Sequence, residues 1–175
     1  MSRDSRSAVD WAIQLLRTAK TAEDVQIALR TSVRAGVDAQ GATVVRLEDD
    51  QCYYVDEDAM SPLWKGQRFL ASICISGWAM LHDQTVAVPD IWSDSRIPAK
   101  AYRPTFVRSL LIVPIRARRR PVGAVGAYWA HKHEATDEEV ATLERLADAA
   151  GQALERITSA APAAPPAPAS RTPAA

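Results

Sequence analysis

Apolar residues recur at intervals of three and four positions in three stretches of the chain, which predicts three amphipathic helices. The first spans residues 7–19, and the second begins at Thr21, a helix-capping residue, and ends near Gly36. The third begins with a Thr136–Glu139 capping box and extends to Ile157. A shorter helix is expected over residues 72–81.

Between these helices the pattern changes to the β-branched and apolar residues that are typical of strands. We expect strands over residues 42–48, 52–55, 85–88, 107–116 and 121–131. Short polar turns join neighbouring strands, so the sheet should be antiparallel with helices laid against it, in an α+β fold. The segments 56–70 and 90–105 are predicted to be loops, and the second is long enough to suggest a functional role.

The composition is that of a globular domain. The chain has 175 residues, of which 47% are hydrophobic and 24% are charged. From residue 158 onward it becomes rich in alanine and proline, a composition that predicts a disordered tail. The expected organisation is therefore an N-terminal helix over residues 1–20, one domain over residues 21–157 and the tail over residues 158–175.

The charges balance, with 21 lysines and arginines against 21 aspartates and glutamates. We therefore expect neither nucleic acid nor a membrane as a partner, and we interpret the basic residues 116–120 as a solvated hairpin tip. The start of the chain lacks the apolar core of a signal peptide, and the two cysteines form no C-x-x-C pair. These features predict a cytoplasmic protein.

Several segments, in this order along the chain, resemble the GAF domain family. They are Ser76-Gly77-Trp78-Ala79-Met80, Val86-Ala87-Val88-Pro89-Asp90-Ile91, Ser109-Leu110-Leu111-Ile112-Val113-Pro114-Ile115, Pro121-Val122-Gly123-Ala124-Val125-Gly126 and the final helix from Thr136. The resemblance covers residues 21–157. It implies a PAS-related sandwich, in which a central antiparallel sheet carries the N- and C-terminal helices on one face and a ligand pocket on the other.

The resemblance also implies a function, because the sequence is similar to GAF domains of proteobacterial sensor histidine kinases. We expect a domain that senses a small molecule or relays a signal in bacterial signal transduction, such as a two-component system, with a kinase or regulator as partner. The alternative is a dimerisation or protein-interaction module that binds no ligand.

Candidate pocket residues follow from their position within the GAF-like pattern. They are Cys74, Trp78, Asp90, Trp92, Arg96, Tyr102 and Phe106. Aromatic side chains line pockets and also fill cores. The same aromatic residues could therefore cover the sheet without leaving space for a ligand.

The apolar stripe of the last helix is wider than one packing seam needs. One side of it should pack inward, and the other should join the first helix in a homodimer contact. The candidates for this contact are Val9, Ile13, Leu16, Val140, Leu143, Ala147, Ala150 and Leu154. The seam could instead be entirely intramolecular.

No cofactor can be named from the sequence. The Asn-Lys…Phe…Asp-Glu motif of cyclic-nucleotide-binding GAF domains is absent, and Cys74 lacks the adjacent histidine usual at bilin sites. No motif supports haem at His82, and we interpret His131 and His133 as a solvated strand end without a metal. Free methionine sulfoxide reductases need several cysteines around the pocket loops, whereas residues 89–106 contain none. We therefore expect no enzymatic activity, and we interpret Cys74 as a small buried apolar residue.

Overall fold

The computed structural model describes residues 3–160. Five helices and six strands follow one another along the chain. They are α1 (Arg3–Thr18), α2 (Ala22–Gly36), β1 (Gly41–Glu48), β2 (Gln51–Ala59), β3 (Arg68–Leu70), α3 (Ile75–His82), β4 (Val86–Val88), α4 (Ala99–Tyr102), β5 (Ser109–Ala117), β6 (Arg120–Trp129) and α5 (Asp137–Ala160). Single 3₁₀ turns lie at Ala71–Ile73 and Ile91–Ser93.

The strands form one antiparallel sheet in the order β3-β2-β1-β6-β5-β4. The predicted α+β architecture is confirmed, with α1, α2 and α5 together on one face of the sheet. Both predicted helix caps are present: the Thr21 hydroxyl accepts the Asp24 N–H, and the Thr136 hydroxyl accepts the Glu139 N–H at 3.2 Å. The α5 helix continues to Ala160, so the predicted tail begins later than residue 158, and residues 161–175 lie outside the described residues.

The first hairpin is longer than the sequence predicted. We expected a strand over 52–55 and a loop over 56–70, but β2 extends to Ala59 opposite Gly41, and β3 lies within the predicted loop. Pro62 and Gly66 indicated a loop, but both lie beyond the end of β2. The charges on this strand have partners: Asp56 binds Lys65 and Arg30, and Asp58 binds Arg34.

The two faces of the sheet carry separate hydrophobic clusters because strand side chains alternate. In β5, Leu111, Val113 and Ile115 pack under the helix layer of α1, α2 and α5, whereas Leu110 and Ile112 point to the opposite face. That opposite face is covered by α3, α4 and the loops around them. The protein therefore has two cores separated by one sheet.

The predicted dimer contact needs correction. Five of its eight candidates are buried within one protomer, where they fill the core between the helix layer and the sheet: Val9, Leu16, Leu143, Ala147 and Ala150. Ile13, Val140 and Leu154 are half-buried at the edge of the same cluster. The stripe on α5 is wide because it contacts α1, α2 and the sheet together. Dimerisation itself stays a prediction.

Helix α5 crosses the end of β5 at Gly151. A Cβ atom at this position would lie 1.9 Å from the Arg116 carbonyl oxygen, which is too close for any side chain. The same helix is tied to α1, because the Arg156 guanidinium donates to the carbonyls of Leu16 and Ala19, both at 3.0 Å. The position of the helix layer on the sheet thus depends on this close approach.

We expect Gly151→Ala to lower the free energy of unfolding by about 1–3 kcal/mol, because the helix must move off the strand. Intrinsic helix propensity alone would change stability by about 1 kcal/mol in the opposite direction. Urea denaturation would measure the difference, with the exposed Gln152→Ala as the control on the same helix. Equal or greater stability of Gly151→Ala would contradict the close crossing.

Candidate functional site

An aromatic cavity of about 350 Å³ lies on the sheet face opposite the helix layer. We call it the aromatic cavity throughout. Its walls come from β2, the loop before β3, β3 itself, the residues before α3, and α4. The lining residues are Tyr54, Trp64, Phe69, Ile73, Cys74, Pro98, Lys100, Ala101 and Tyr102.

Trp64 is held in the wall by a carboxylate on the neighbouring strand. The Glu57 side chain accepts backbone N–H bonds from Leu63, Trp64 and Lys65, at 2.9–3.0 Å. Hydrogen bonds to a charged acceptor are stronger than those between neutral groups. The Glu57 carboxylate therefore fixes the loop from which Trp64 projects inward.

The aromatic rings contact one another edge to face. Trp64 lies 4.8 Å from Tyr102 and 5.5 Å from both Tyr54 and Tyr128, measured between ring centroids. Tyr54 also meets Phe69 at 5.6 Å. In addition, the Trp64 indole N–H donates to the Ala101 carbonyl at 3.3 Å, which joins the loop to α4. Contacts of this geometry restrict ring motion, so the cavity walls are well defined.

Polar groups lie beneath the rings. The Tyr54 hydroxyl is hydrogen-bonded to Ser76 Oγ, and the Tyr128 hydroxyl to Thr43 Oγ1, both at 3.0 Å. The Tyr102 hydroxyl is buried and has no hydrogen-bond partner among the described residues. Buried polar groups are normally paired, and an unpaired one costs about 1–3 kcal/mol. The Tyr102 hydroxyl is therefore an unsatisfied donor behind the cavity wall, and a ligand would reach it once the surrounding side chains shift.

Burial sets the protonation state of these phenols. Loss of solvent raises the pKa of Tyr54, Tyr102 and Tyr128 above the ordinary tyrosine value. All three hydroxyls consequently remain protonated at neutral pH and can donate hydrogen bonds. Lys100 adds a cation beside them: it is exposed, lines the cavity, and makes no ion pair within residues 3–160.

The structure brings together only part of the predicted pocket. Cys74 and Tyr102 line the cavity, and Phe106 is half-buried and packs against the same cluster. Trp78 and Arg96 lie outside its lining: Trp78 stacks on His82 at 4.1 Å, and the Arg96 guanidinium lies over the Trp78 ring.

Two further candidates also lie outside the cavity lining. Asp90 forms ion pairs with Arg108 and Lys132, and Trp92 is 45% exposed on the adjacent 3₁₀ turn. The prediction placed them in the pocket because they occupy the long loop before β5. In the structure, that segment contributes to the cavity only through α4 and Pro98.

The list of candidate pocket residues omitted Tyr54, Trp64, Phe69 and Lys100, although Trp64 belongs to the aromatic residues of the middle segments that could line a pocket. Tyr54 lies two residues after Cys52 on β2, so both face the same side of the sheet, and this period-two pattern was an available signal. The orientation of Trp64 was not predictable, because it depends on the Glu57 carboxylate seven residues earlier.

A second concavity, of about 420 Å³, lies where α2 ends beside the start of α5. Its lining includes Asp38 and Glu139, and the Glu139 carboxylate is already bound to His133 and Thr136. Within residues 3–160, no three histidine, cysteine or acidic side chains converge as a metal site. The aromatic cavity is therefore the stronger candidate for a ligand site.

The comparison with protein families decides the identity of this fold. A family model described as "GAF domain" matches residues 22–155. The chain belongs to the GAF domain family. GAF domains are small-molecule-binding and signalling modules, and the cavity lies on the sheet face that the sequence resemblance assigned to a ligand pocket.

Solved structures share the GAF fold at low sequence identity. One is the GAF domain of an Acinetobacter phosphoenolpyruvate-protein phosphotransferase, with a TM-score of 0.75 and 13% identity over 91% of this chain and 98% of that chain. Another is the free methionine-R-sulfoxide reductase of Neisseria meningitidis in complex with its substrate, with a TM-score of 0.77 and 16% identity over 90% and 92%. The cyanobacteriochrome receptor PixJ has a TM-score of 0.69 and 19% identity over 78% and 96%.

These structural neighbours differ in what they do, so they show the fold and not the ligand. No curated protein matches the sequence. Across residues 3–160, none of the helices combines the length and the apolar character that crossing a bilayer requires.

Two tyrosine variants test the polar floor of the cavity. Tyr102→Phe removes an unpaired hydroxyl and should raise the free energy of unfolding of the ligand-free protein by about 1 kcal/mol. Tyr54→Phe removes a paired hydroxyl and should lower it by a similar amount, about 1 kcal/mol. Chemical denaturation of both proteins checks the opposite signs, and equal losses in the two variants would show that the Tyr102 hydroxyl has a partner.

Proposed function

We propose that this GAF domain is a sensor that binds a small molecule with a flat apolar body and an acidic group. The observation that carries the proposal is the aromatic cavity itself, with the unpaired and buried Tyr102 hydroxyl behind its wall. The rings of Tyr54, Trp64 and Phe69 supply apolar contact for a flat molecule. The Tyr102 hydroxyl and the Lys100 ammonium supply a hydrogen-bond donor and a positive charge.

The ligand would act on the helix layer through β6. Tyr128 of this strand contacts Trp64 at the cavity, while its neighbour Trp129 packs under the helices. A ligand that displaced Trp64 or Tyr128 would therefore change the packing of the strand against α5. A shift in helix packing is a common way to pass a signal to a kinase or other regulator.

The proposed role is binding without catalysis. The cavity lining contains neither a carboxylate nor an imidazole that could transfer a proton to or from a ligand. Its titratable groups are the thiol of Cys74, the ammonium of Lys100 and phenols that stay protonated. This set suits recognition of an acidic molecule.

A thermal-shift screen of aromatic carboxylates, each paired with its neutral primary amide, tests the proposal. A carboxylate at about a hundred times its Kd should add about 2.7 kcal/mol to the free energy of unfolding. We expect Tyr102→Phe to weaken ligand binding about tenfold. Lys100→Gln should weaken binding of the carboxylate about threefold and leave binding of the amide unchanged.

Two matched variants control for indirect effects. Tyr53 neighbours Tyr54 on β2 but points to the other side of the strand, and Arg119 is an exposed cation on the β5–β6 turn. Tyr53→Phe and Arg119→Gln should leave the affinity unchanged. Loss of binding in these controls, or no carboxylate that binds the wild-type protein, would reject the proposal.

A subunit-contact module is a second candidate, favoured by one exposed surface. Trp11 of α1 is 64% exposed, and Ile27 of α2 is 42% exposed. Ile27 lies beside Leu15 of α1, which is one helical turn from Trp11. Large apolar side chains exposed together often mark an interface. A homodimer would use this α1–α2 patch instead of the buried residues of the predicted seam.

Sedimentation of the wild-type protein and of Trp11→Glu tests this candidate. A dimer through the α1–α2 patch should become monomeric in the variant, because a charge would be buried at the contact. Leu81→Glu is the control, since Leu81 is 60% exposed at α3 on the opposite face of the sheet. A monomeric wild-type protein, or a dimer that survives Trp11→Glu, would exclude this contact.

A further inference from the structure

The two cysteines meet beneath the aromatic cavity. Cys52 lies on β2, opposite Leu47 and Phe69 of the neighbouring strands, and Cys74 directly precedes α3. Both side chains belong to the same buried cluster, and each thiol shifts the pKa of the other. Two residues 22 positions apart in sequence are thus brought together at the base of the cavity.

The surroundings of the two thiols differ. Cys74 is the N-cap of α3, where its sulfur accepts the Gly77 N–H at 3.3 Å. The tight turn that makes this contact needs Gly77, because a Cβ atom there would lie 2.0 Å from the Ala71 carbonyl oxygen. The hydrogen bond from Cys52, followed by the N–H groups of Gly77 and Ser76, lowers the pKa of the Cys74 thiol.

Cys52 has the opposite character. Its hydrogen bond to Cys74, together with burial, raises the pKa of the Cys52 thiol above the ordinary value. Thiolates are the nucleophiles in thiol chemistry, whereas thiols are not. The Gly77 N–H and the position in the cavity wall therefore favour Cys74 as the sulfur that attacks an oxidant, and the buried Cys52 as the one that reacts second.

The two cysteines also differ in how accessible they are from the cavity. Cys74 is 7% exposed and lines the aromatic cavity, whereas Cys52 is fully buried behind it. A molecule as small as hydrogen peroxide fits easily into a cavity of about 350 Å³. An oxidant entering the cavity meets Cys74 first.

We propose that Cys74 and Cys52 form a peroxide-sensitive dithiol that closes to a disulfide at the base of the cavity. The Cys74 thiolate attacks one oxygen of the peroxide; the O–O bond breaks, and the departing hydroxide takes up a proton to leave as water. The resulting Cys74 sulfenic acid is then attacked by the Cys52 sulfur. The S–S bond forms, the S–O bond breaks, and the Cys52 proton leaves with the hydroxyl as a second water.

This inference goes beyond the proposed sensing of an acidic molecule and does not depend on it. The disulfide would tie β2 to the start of α3 and withdraw the Cys74 sulfur from the Gly77 N–H. Both changes occur at the wall and base of the cavity. A thiol reductant would cleave the disulfide and restore the two free thiols.

Peptide mapping of the folded wild-type protein tests the proposal. Trypsin separates the two cysteines into residues 47–65 and 69–96. The protein is exposed briefly to hydrogen peroxide, its free thiols are blocked in denaturant, and it is then digested. We expect a disulfide-linked 47–65/69–96 peptide that a reductant separates into its two parts. Met60 is 57% exposed and serves as an internal comparator within the first peptide. The disulfide should form before Met60 sulfoxide accumulates.

Single-cysteine variants assign the order of events. Cys52→Ser should still react and should stop at a sulfenic acid on Cys74, which dimedone traps. Cys74→Ser should react at least about tenfold more slowly than the wild-type protein, because its remaining thiol is buried and protonated. The ligand screen, applied to Cys52→Ser, reports separately on the sensing proposal.

Three results would overturn the dithiol proposal. One is a wild-type protein whose cysteines stay reduced while Met60 is oxidised. Another is a cross-link that forms only in denaturant. The third is a Cys74→Ser variant that reacts as fast as wild type. The wild-type experiment needs no variant to fold, so its outcome decides the question by itself.

Discussion

The central strands β5 and β6 carry apolar side chains on both faces, so both faces of the sheet must be covered. On one face three long helices do this as a continuous layer, with α5 lying so close to β5 that position 151 has room only for glycine. On the other face the cover is made of short helices, single 3₁₀ turns and loops. Short irregular pieces cannot cover a twisted sheet as fully as long helices can, and the aromatic cavity lies within this cover.

The aromatic cavity depends on contacts between segments that are far apart in sequence. Glu57 holds the loop that carries Trp64, Trp64 touches Tyr102 and donates to α4, and Tyr128 beneath it belongs to β6. Each ring is therefore supported by a strand or a second loop. A site of this kind has defined walls, and the unpaired hydroxyl of Tyr102 gives it a directional group.

The sequence predicted those parts of the fold that depend on local patterns of residues. Apolar periodicity predicted α1, α2 and α5, the capping residues Thr21 and Thr136 predicted two helix starts, and the β-branched runs predicted the central strands. The end of β2 was predicted wrongly, because Asp56 and Asp58 form ion pairs and Glu57 accepts backbone N–H bonds, and sequence spacing does not reveal these partners. The buried dimer seam was predicted wrongly for a related reason: an apolar stripe does not show which neighbours cover it.

The candidate site could be predicted from the sequence only in part, because much of it depends on contacts between distant segments. Tyr102 and Cys74 were found by their place in the GAF-like pattern, whereas Trp64 and Lys100 reach the cavity through tertiary contacts alone. Cys74 had been interpreted as a small apolar residue, because nothing in the sequence showed that Cys52 would lie beside it. Chemistry that depends on two distant segments requires the structure.

The proposed ligand site lies on the loop-covered face of this GAF domain. The most direct test is a titration of the ¹⁵N-labelled protein with aromatic carboxylates, followed through the indole N–H signals of its tryptophans. Trp64 lines the cavity, Trp129 is buried under the helix layer, and Trp11 is exposed on α1. We expect a saturable shift of the Trp64 signal, no shift of the Trp11 signal and a smaller change in the Trp129 signal. A shift confined to Trp11, or none for any carboxylate, would contradict the proposed site.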